Sequence, residues 1–220
     1  QPVPPPVLWR STLGSVARWA AWALVYGRDG ETTMETYAEL RFGYVDDATE
    51  GGGSAAPWSP SLEVRLPGTD LRVCGVIDRL DIDRHHARVR VIDYKTGKPR
   101  KPKGGLEGGE ELQRTLYTLA VRSLLGEGWQ VEALLLHPRH QAAAALDDPG
   151  AFVPALAQAA KHAADLLMDG HVVAGPGLAS PFEDARLAFP ALGPSRYLEV
   201  KAPAIQPLRA PLDALLRGQA

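Results

Sequence analysis

Apolar residues recur every third or fourth position between Thr12 and Tyr26, where Leu13, Val16, Ala20, Ala23 and Leu24 keep helical spacing and Trp9, Trp19 and Trp22 lie close by. This period predicts a packing helix. From Thr36 to Val45 the pattern changes to the alternation of a half-buried strand. Asp46 to Pro60 is rich in Gly, Ser and Pro and reads as a flexible loop. Three more strands are predicted over Leu62–Leu66, Leu71–Ile77 and Ala87–Asp93, the last two joined through the polar stretch Asp81–His86 as an antiparallel hairpin. Lys98–Gly109 reads as a loop and Glu110–Leu125 as a helix with Leu112, Leu116, Leu119 and Leu124 on its apolar side. Gln130–Leu136 reads as a buried strand, Ala151–Met168 as a second long helix, and the chain after Gly170 as irregular. The order predicts an α/β fold, a central mixed β-sheet flanked by helices.

Composition narrows the picture modestly. With 220 residues, 45% of them hydrophobic and 23% charged, the chain suits a single globular domain, its core at about residues 12–170 and residues 171–220 an irregular C-terminal extension. No apolar run is long enough to span a bilayer and no signal peptide is evident, so a cytoplasmic location without a membrane partner is expected. A single cysteine, Cys74, excludes an internal disulfide and any cysteine-ligated cluster built by this chain alone. A net charge of -2 exerts no global pull on nucleic acid, so such binding needs a local patch. Gln1 followed by the Pro-rich Pro2–Pro6 reads either as a piece cut from a longer protein or as an ordinary processed terminus.

The chemistry concentrates between Gly75 and Lys95. Two short apolar runs each deliver a carboxylate, Asp78 and Asp93, and the second also delivers Lys95. Cleaving a phosphodiester needs an activated water and offset of the charge that builds up on phosphorus. Carboxylate-held Mg2+ meets both needs, and because it keeps several waters, two carboxylates and a backbone carbonyl suffice as protein ligands. Asp93 and Lys95 are two apart on a strand and share a face, with Tyr94 pointing away. Lys95 can then orient the water or offset phosphate charge. Gln113 and Tyr117, four apart on the predicted helix, share a face and could bond the water, Lys95 or a DNA phosphate. Between Lys95 and Lys103 five positive side chains (Lys95, Lys98, Arg100, Lys101, Lys103) occur with no negative one, which reads either as a solvated loop or, directly after the acidic pair, as a contact for a phosphate backbone.

Gly-Val-Ile-Asp-Arg (Gly75–Arg79), then Asp-Tyr-Lys-Thr-Gly (Asp93–Gly97), then Gln-Arg-Thr-Leu-Tyr (Gln113–Tyr117), in that order, resemble the RecB/AddB-like branch of the PD-(D/E)XK nuclease superfamily. The similarity runs from about Glu39 to Tyr117. It implies a restriction-endonuclease-like αβββαβ core and a Mg2+- or Mn2+-dependent DNA nuclease, exonucleolytic, serving DNA repair beside a helicase in a bacterial-type cytosol. It assigns metal binding to Asp78, Asp93 and the Tyr94 backbone carbonyl, with Glu39 as an additional acid. Lys95 becomes the catalytic lysine, with Gln113 and Tyr117 as its companions. Two departures stand out. No His precedes His85, whereas the branch usually carries an upstream metal-binding His. No cysteine lies in Ser180–Gly193, so the iron–sulfur cluster of many relatives is excluded.

Blander roles suit other residues. Arg79 reads as fixing the hairpin or pairing with a carboxylate, and Asp81 and Asp83 as solvated or paired with Arg84 and Arg88. His85 and His86 read as hairpin-tip residues, and His137 and His140 as loop residues. Two other functions compete: a catalytically weak nuclease-like domain that binds DNA or scaffolds a partner, and metal-dependent hydrolysis of a small phosphorylated molecule. Gly104–Gly109 lacks the Lys-Ser/Thr ending of a phosphate-binding loop.

Overall fold

The computed structural model describes residues 6–26, 34–44, 56–99, 106, 111–146, 148–173 and 193–212. The Gly-rich segment 46–55 and the basic residues Arg100, Lys101 and Lys103 lie outside the described residues. The chain divides into two compact units, one comprising residues 1–66, 72–102 and 113–151, the other residues 67–71, 103–112 and 152–220.

The first unit opens with helix α1 (Pro6–Val25), followed by strands β1 (Glu35–Phe42), β2 (Val64–Arg65), β3 (Arg72–Val73), β4 (Gly75–Asp83) and β5 (Arg88–Tyr94). Helix α2 (Leu112–Leu125), β6 (Gln130–His137) and β7 (Ala142–Leu146) complete it. Five strands make one mixed sheet in the order β1-β4-β5-β6-β7, and β2 and β3 form a separate two-stranded ladder. β4 runs antiparallel to β1 and β5, β6 parallel to β5, and β7 antiparallel to β6. A parallel neighbour requires a crossover, and α2 supplies it between β5 and β6.

The central strand is covered on both faces, as Val89, Val91 and Ile92 are all buried. On one face Ile92, Leu134 and Leu136 form a cluster against which Trp22 and Tyr26 of the α1 segment pack. Burying an aliphatic side chain of this kind stabilises the fold by ~1.5–3 kcal/mol. Arg79 locks the α1 end onto the same sheet. Its guanidinium forms a two-point ion pair with Asp81, at 2.8 and 2.7 Å, and also donates to the carbonyls of Ala23 and Tyr26, the last of these 3.2 Å away. A helix ends with carbonyls that lack intrahelical partners, and a buried cation satisfies them. Burial opposes the Arg79 charge most strongly, but Asp81 and Tyr94 together outweigh it and the guanidinium pKa is raised.

Several expectations need correction. β4 runs on through Asp81 and Asp83, which are buried rather than solvated. Asp81 takes Arg79 and Thr36 as partners, and Asp83 takes His86 at 2.7 Å, in place of Arg84 and Arg88. The predicted strand at Leu62–Leu66 shrinks to two paired residues, and Leu71–Ile77 breaks at Cys74. The buried side of α2 holds Arg114, Thr115, Thr118 and Val121, whereas Leu112, Leu116 and Leu124 are only half-buried. Burying that polar side is possible because Thr118 Oγ1 donates to the Arg114 carbonyl and Arg114 to the Ala144 carbonyl of β7.

In the second unit, helix α3 (Val153–Met168) buries Leu156, Ala157, Ala159 and Leu166. Helix α4 (Gly193–Arg209) lies in the stretch expected to be irregular and carries Pro203 and Pro207 inside it. His162 of α3 bonds the Leu208 carbonyl at 2.8 Å. None of the described helices is long and apolar enough to cross a membrane.

Candidate functional site

Register brings the acidic residues level with one another. β1 and β4 pair Ala38 with Arg79 and Leu40 with Ile77, which sets Glu39 beside Asp78. β4 and β5 pair Arg79 with Ile92 as their last rung at this end, so Asp78 and Asp93 come level where the two strands part. There the Tyr94 N–H has no ladder partner on β4 and instead donates to Asp78 Oδ2 at 2.9 Å. The Asp78 carboxylate thus closes the gap between the strands and is tied to the residue after Asp93.

Asp93 is 3% exposed. Lys95 Nζ stands 2.7 Å from its Oδ2, but the approach lies outside hydrogen-bond geometry. Among the described residues, Asp93 Oδ2 is the one buried side-chain polar atom without a hydrogen-bond partner. Burial pushes the Asp93 carboxyl above its ordinary pKa; the Lys95 ammonium pulls it down, Asp78 pushes it up, and Arg114 pulls it down again. A buried carboxylate oxygen that is ion-paired to Lys95 without a hydrogen bond, beside a second carboxylate, fits a hard divalent cation, which would coordinate the oxygen and offset the repulsion. The side-chain donors are two, since among the described residues no three His, Cys, Asp or Glu side chains come together to hold a metal. Glu39 therefore stands level with Asp78 without completing a three-ligand group. It is exposed and held at φ 51, a left-handed conformation that costs a non-glycine residue some strain.

α2 covers the face that bears Asp93. Gln113 Oε1 accepts from Lys95 Nζ at 2.9 Å, and Gln113 Nε2 reaches the Tyr117 hydroxyl at 3.5 Å. Burial raises the Tyr117 pKa, and the charges of Asp93, Asp78 and Glu39 raise it further. The phenol therefore keeps its proton at neutral pH and can donate. Tyr117 meets Phe42 edge-on at 6.2 Å, over Gly75, where an added Cβ would lie 3.0 Å from the Phe42 ring. Gly75, at the head of the first motif, thus leaves room for the ring that positions Tyr117.

Lys95, Gln113, Tyr117, Asp78 and Asp93 are in this way brought together, and Lys98 is exposed a short way along the chain. Two contributors were not anticipated. Arg114, fully buried next to Gln113 on α2, exerts a charge on Asp93, and His137 contacts the Lys95–Gly97 segment. The position of Arg114 within the third motif, between Gln113 and Tyr117, was the available signal for it. His85 and His86 do not approach this end: they lie at the far turn of the β4–β5 hairpin.

No curated protein and no solved structure matches the chain. A family model does match, over residues 8–180, a span that contains the whole five-stranded sheet and both carboxylates. The α1-β1-β4-β5-α2-β6 order is the restriction-endonuclease-like core. On this match the chain belongs to the PD-(D/E)XK nuclease superfamily.

Proposed function

We propose that this chain is a Mg2+- or Mn2+-dependent deoxyribonuclease of the RecB/AddB-like branch, working exonucleolytically as the single nuclease domain of a DNA-repair helicase–nuclease in a bacterial-type cytosol. Superfamily membership supplies the coarser part, a nuclease that hydrolyses phosphodiester bonds. The branch, the exonuclease mode and the helicase partner rest on the order of the three motifs, Gly75–Arg79, Asp93–Gly97 and Gln113–Tyr117. The observation that carries the reading is the meeting of Asp78, Asp93 and Lys95 with Gln113 where β4 and β5 separate.

Asp78, Asp93 and the Tyr94 carbonyl would hold the ion. A divalent cation there supplies a more acidic water and draws charge from the phosphate. The protein's own part is positional and electrostatic. Lys95, steadied between Asp93 and Gln113, offers its remaining protons to a phosphate oxygen or to the attacking water. Tyr117 donates its hydroxyl, and Gln113 links it to Lys95. Lys98, with Arg100, Lys101 and Lys103, takes backbone phosphates without reading sequence.

The test is degradation of linear and closed-circular DNA, single- and double-stranded, with Mg2+, Mn2+ or chelator. Metal-dependent loss of linear substrate is expected, and Lys95→Ala should abolish it while the thermal transition stays cooperative. Undiminished cleavage by Lys95→Ala would refute the assigned chemistry. A second reading, a weak or inactive nuclease-like domain that binds DNA or scaffolds a partner, is favoured by the two-carboxylate donor set. DNA binding without degradation under either metal would select it.

A further inference from the structure

Lys95 is the last residue of its segment to be held by the sheet. Its N–H donates to the Leu136 carbonyl of β6 at 2.8 Å, after which the main chain leaves the ladder toward Gly97. The next anchor is a side chain: His137 Nδ1 lies 2.8 Å from the Gly97 carbonyl. A carbonyl only accepts, so Nδ1 carries the proton and the tautomer is settled. The ring is itself rigidly placed. His137 is 5% exposed, ends β6 opposite Ala142 of β7, and precedes Pro138. The 3-10 turn Pro138–His140 closes through Gln141, whose N–H bonds the Pro138 carbonyl from a left-handed φ of 47. Arg139 in that turn stacks 5.9 Å over the Trp19 ring of α1.

We infer that His137 is a positioning residue for Lys95: its Nδ1–H extends the β5–β6 ladder by one rung and holds the Lys95–Gly97 segment so that Nζ stays between Asp93 and Gln113. His137 itself touches neither metal nor substrate in this role. The inference rests on the proposed function only in taking Lys95 as catalytic. A long side chain with 38% of its surface exposed cannot keep a fixed Nζ position unless its main chain is held on both sides, at Lys95 by Leu136 and at Gly97 by His137. Misplacement of a catalytic group by about 1 Å can cost 10²-fold in rate.

The test compares His137→Asn, His137→Gln and His137→Leu in the full chain. The Asn amide places an N–H close to where Nδ1 stood, whereas the Gln amide reaches toward the Nε2 position. His137→Leu and His137→Gln should lower kcat by about 10- to 100-fold with KM and the Mn2+ dissociation constant little changed. His137→Asn should retain most of kcat. Trypsin cleavage after Lys95, followed by mass spectrometry without metal or DNA, should accelerate in the Leu and Gln variants and not in the Asn variant. Wild-type kcat in His137→Leu, equal impairment of the Asn and Gln variants, or unchanged cleavage after Lys95 would overturn the inference. Should His137→Leu fail to fold, the Asn and Gln pair decides. Wild-type protein inert under both metals would sink the nuclease reading instead, and the trypsin comparison would still decide the role of His137.

Discussion

Replacing Asp93 by Asn tests how the site balances folding against metal binding. Asp93 is almost completely buried, and its Oδ2 has no hydrogen-bond donor. A buried polar atom with no partner costs ~1–3 kcal/mol, and here the Lys95 ion pair at 2.7 Å offsets part of that cost. The opposing attraction comes from Lys95, whose side chain is 38% exposed and therefore partly screened. Burial wins, because the Asp93 pKa is raised above the ordinary value of 3.8. The folded state then binds this proton more tightly than the unfolded chain. Stability contributed by the protonated carboxyl is present at pH below 3.8 and is lost as pH rises through the raised folded-state value. At neutral pH without metal, Asp93→Asn should therefore be the more stable protein, by ~1–2 kcal/mol, since Asn keeps an oxygen for Lys95 without the buried charge. For a chain of this size that raises Tm by about 2–8 °C. Saturating Mg2+ should reverse the order, because wild type gains about 2.7 kcal/mol at a hundredfold excess over Kd while the variant gains little. The assay is a set of thermal melts across pH 4 to 8 with chelator or Mg2+. An Asp93→Asn protein less stable than wild type in chelator at neutral pH would refute the claim that burial outweighs the Lys95 pair.

Other expectations follow from the same contacts. Arg79→Met should destabilise by ~3–5 kcal/mol in urea, because it strands the buried Asp81 charge and uncaps the end of α1. Adding Asp81→Leu should recover most of that loss, and no recovery would refute the pairing argument. Gly43→Ala should cost ~2 kcal/mol or more, since φ is 77 and the new Cβ would sit 2.0 Å from the Val73 carbonyl oxygen. Gly97→Ala, with nothing within 4 Å of its added Cβ and no positive φ, should stay within about 0.5 kcal/mol of wild type, as equilibrium unfolding of both variants would report. Tyr117→Phe should leave Tm nearly unchanged and weaken transition-state binding by ~0.5–1.5 kcal/mol, about 2- to 12-fold in kcat/KM on linear DNA. Cleavage by wild type should rise with pH as Asp93, whose carboxyl burial pushes above its ordinary value in the metal-free protein, loses the proton that competes with the cation, so the acid limb should move to lower pH as Mg2+ is raised.

Elements with a strong period were legible, and those formed by context were not. β5, α2, β6 and α3 lie where alternation or helical spacing places them, within a few residues, whereas β4 starts at Gly75 and runs on to Asp83, well past the predicted end at Ile77. β7 is Ala-Ala-Ala-Ala-Leu, a sequence that favours helix and becomes a strand because β6 offers it an open edge. α4 contains Pro203 and Pro207, and a reading based on prolines as helix breakers passes over it. Asp81 and Asp83 read as surface residues because charge is rarely buried. Asp81 is buried because Arg79 and Thr36 meet it inside the fold, and Asp83 because the N–H groups of His85 and His86 and the exposed His86 ring satisfy it at the hairpin turn.

The sequence by itself determined the three motifs and with them the chemistry we propose, since Asp78, Asp93, Lys95, Gln113 and Tyr117 are residue types suited to holding a hard cation and orienting a phosphate. What only the tertiary structure decided is how they are held. Asp78 reaches across to the Tyr94 N–H, Asp93 Oδ2 is left without a donor, and His137 steadies the Lys95 segment from the end of another strand. Each of these depends on strand register and on where paired strands part, which are contacts between residues distant in sequence. Local spacing does not encode them. The pKa of Asp93 follows from the same source, because burial is a property of the packed sheet and not of the residue.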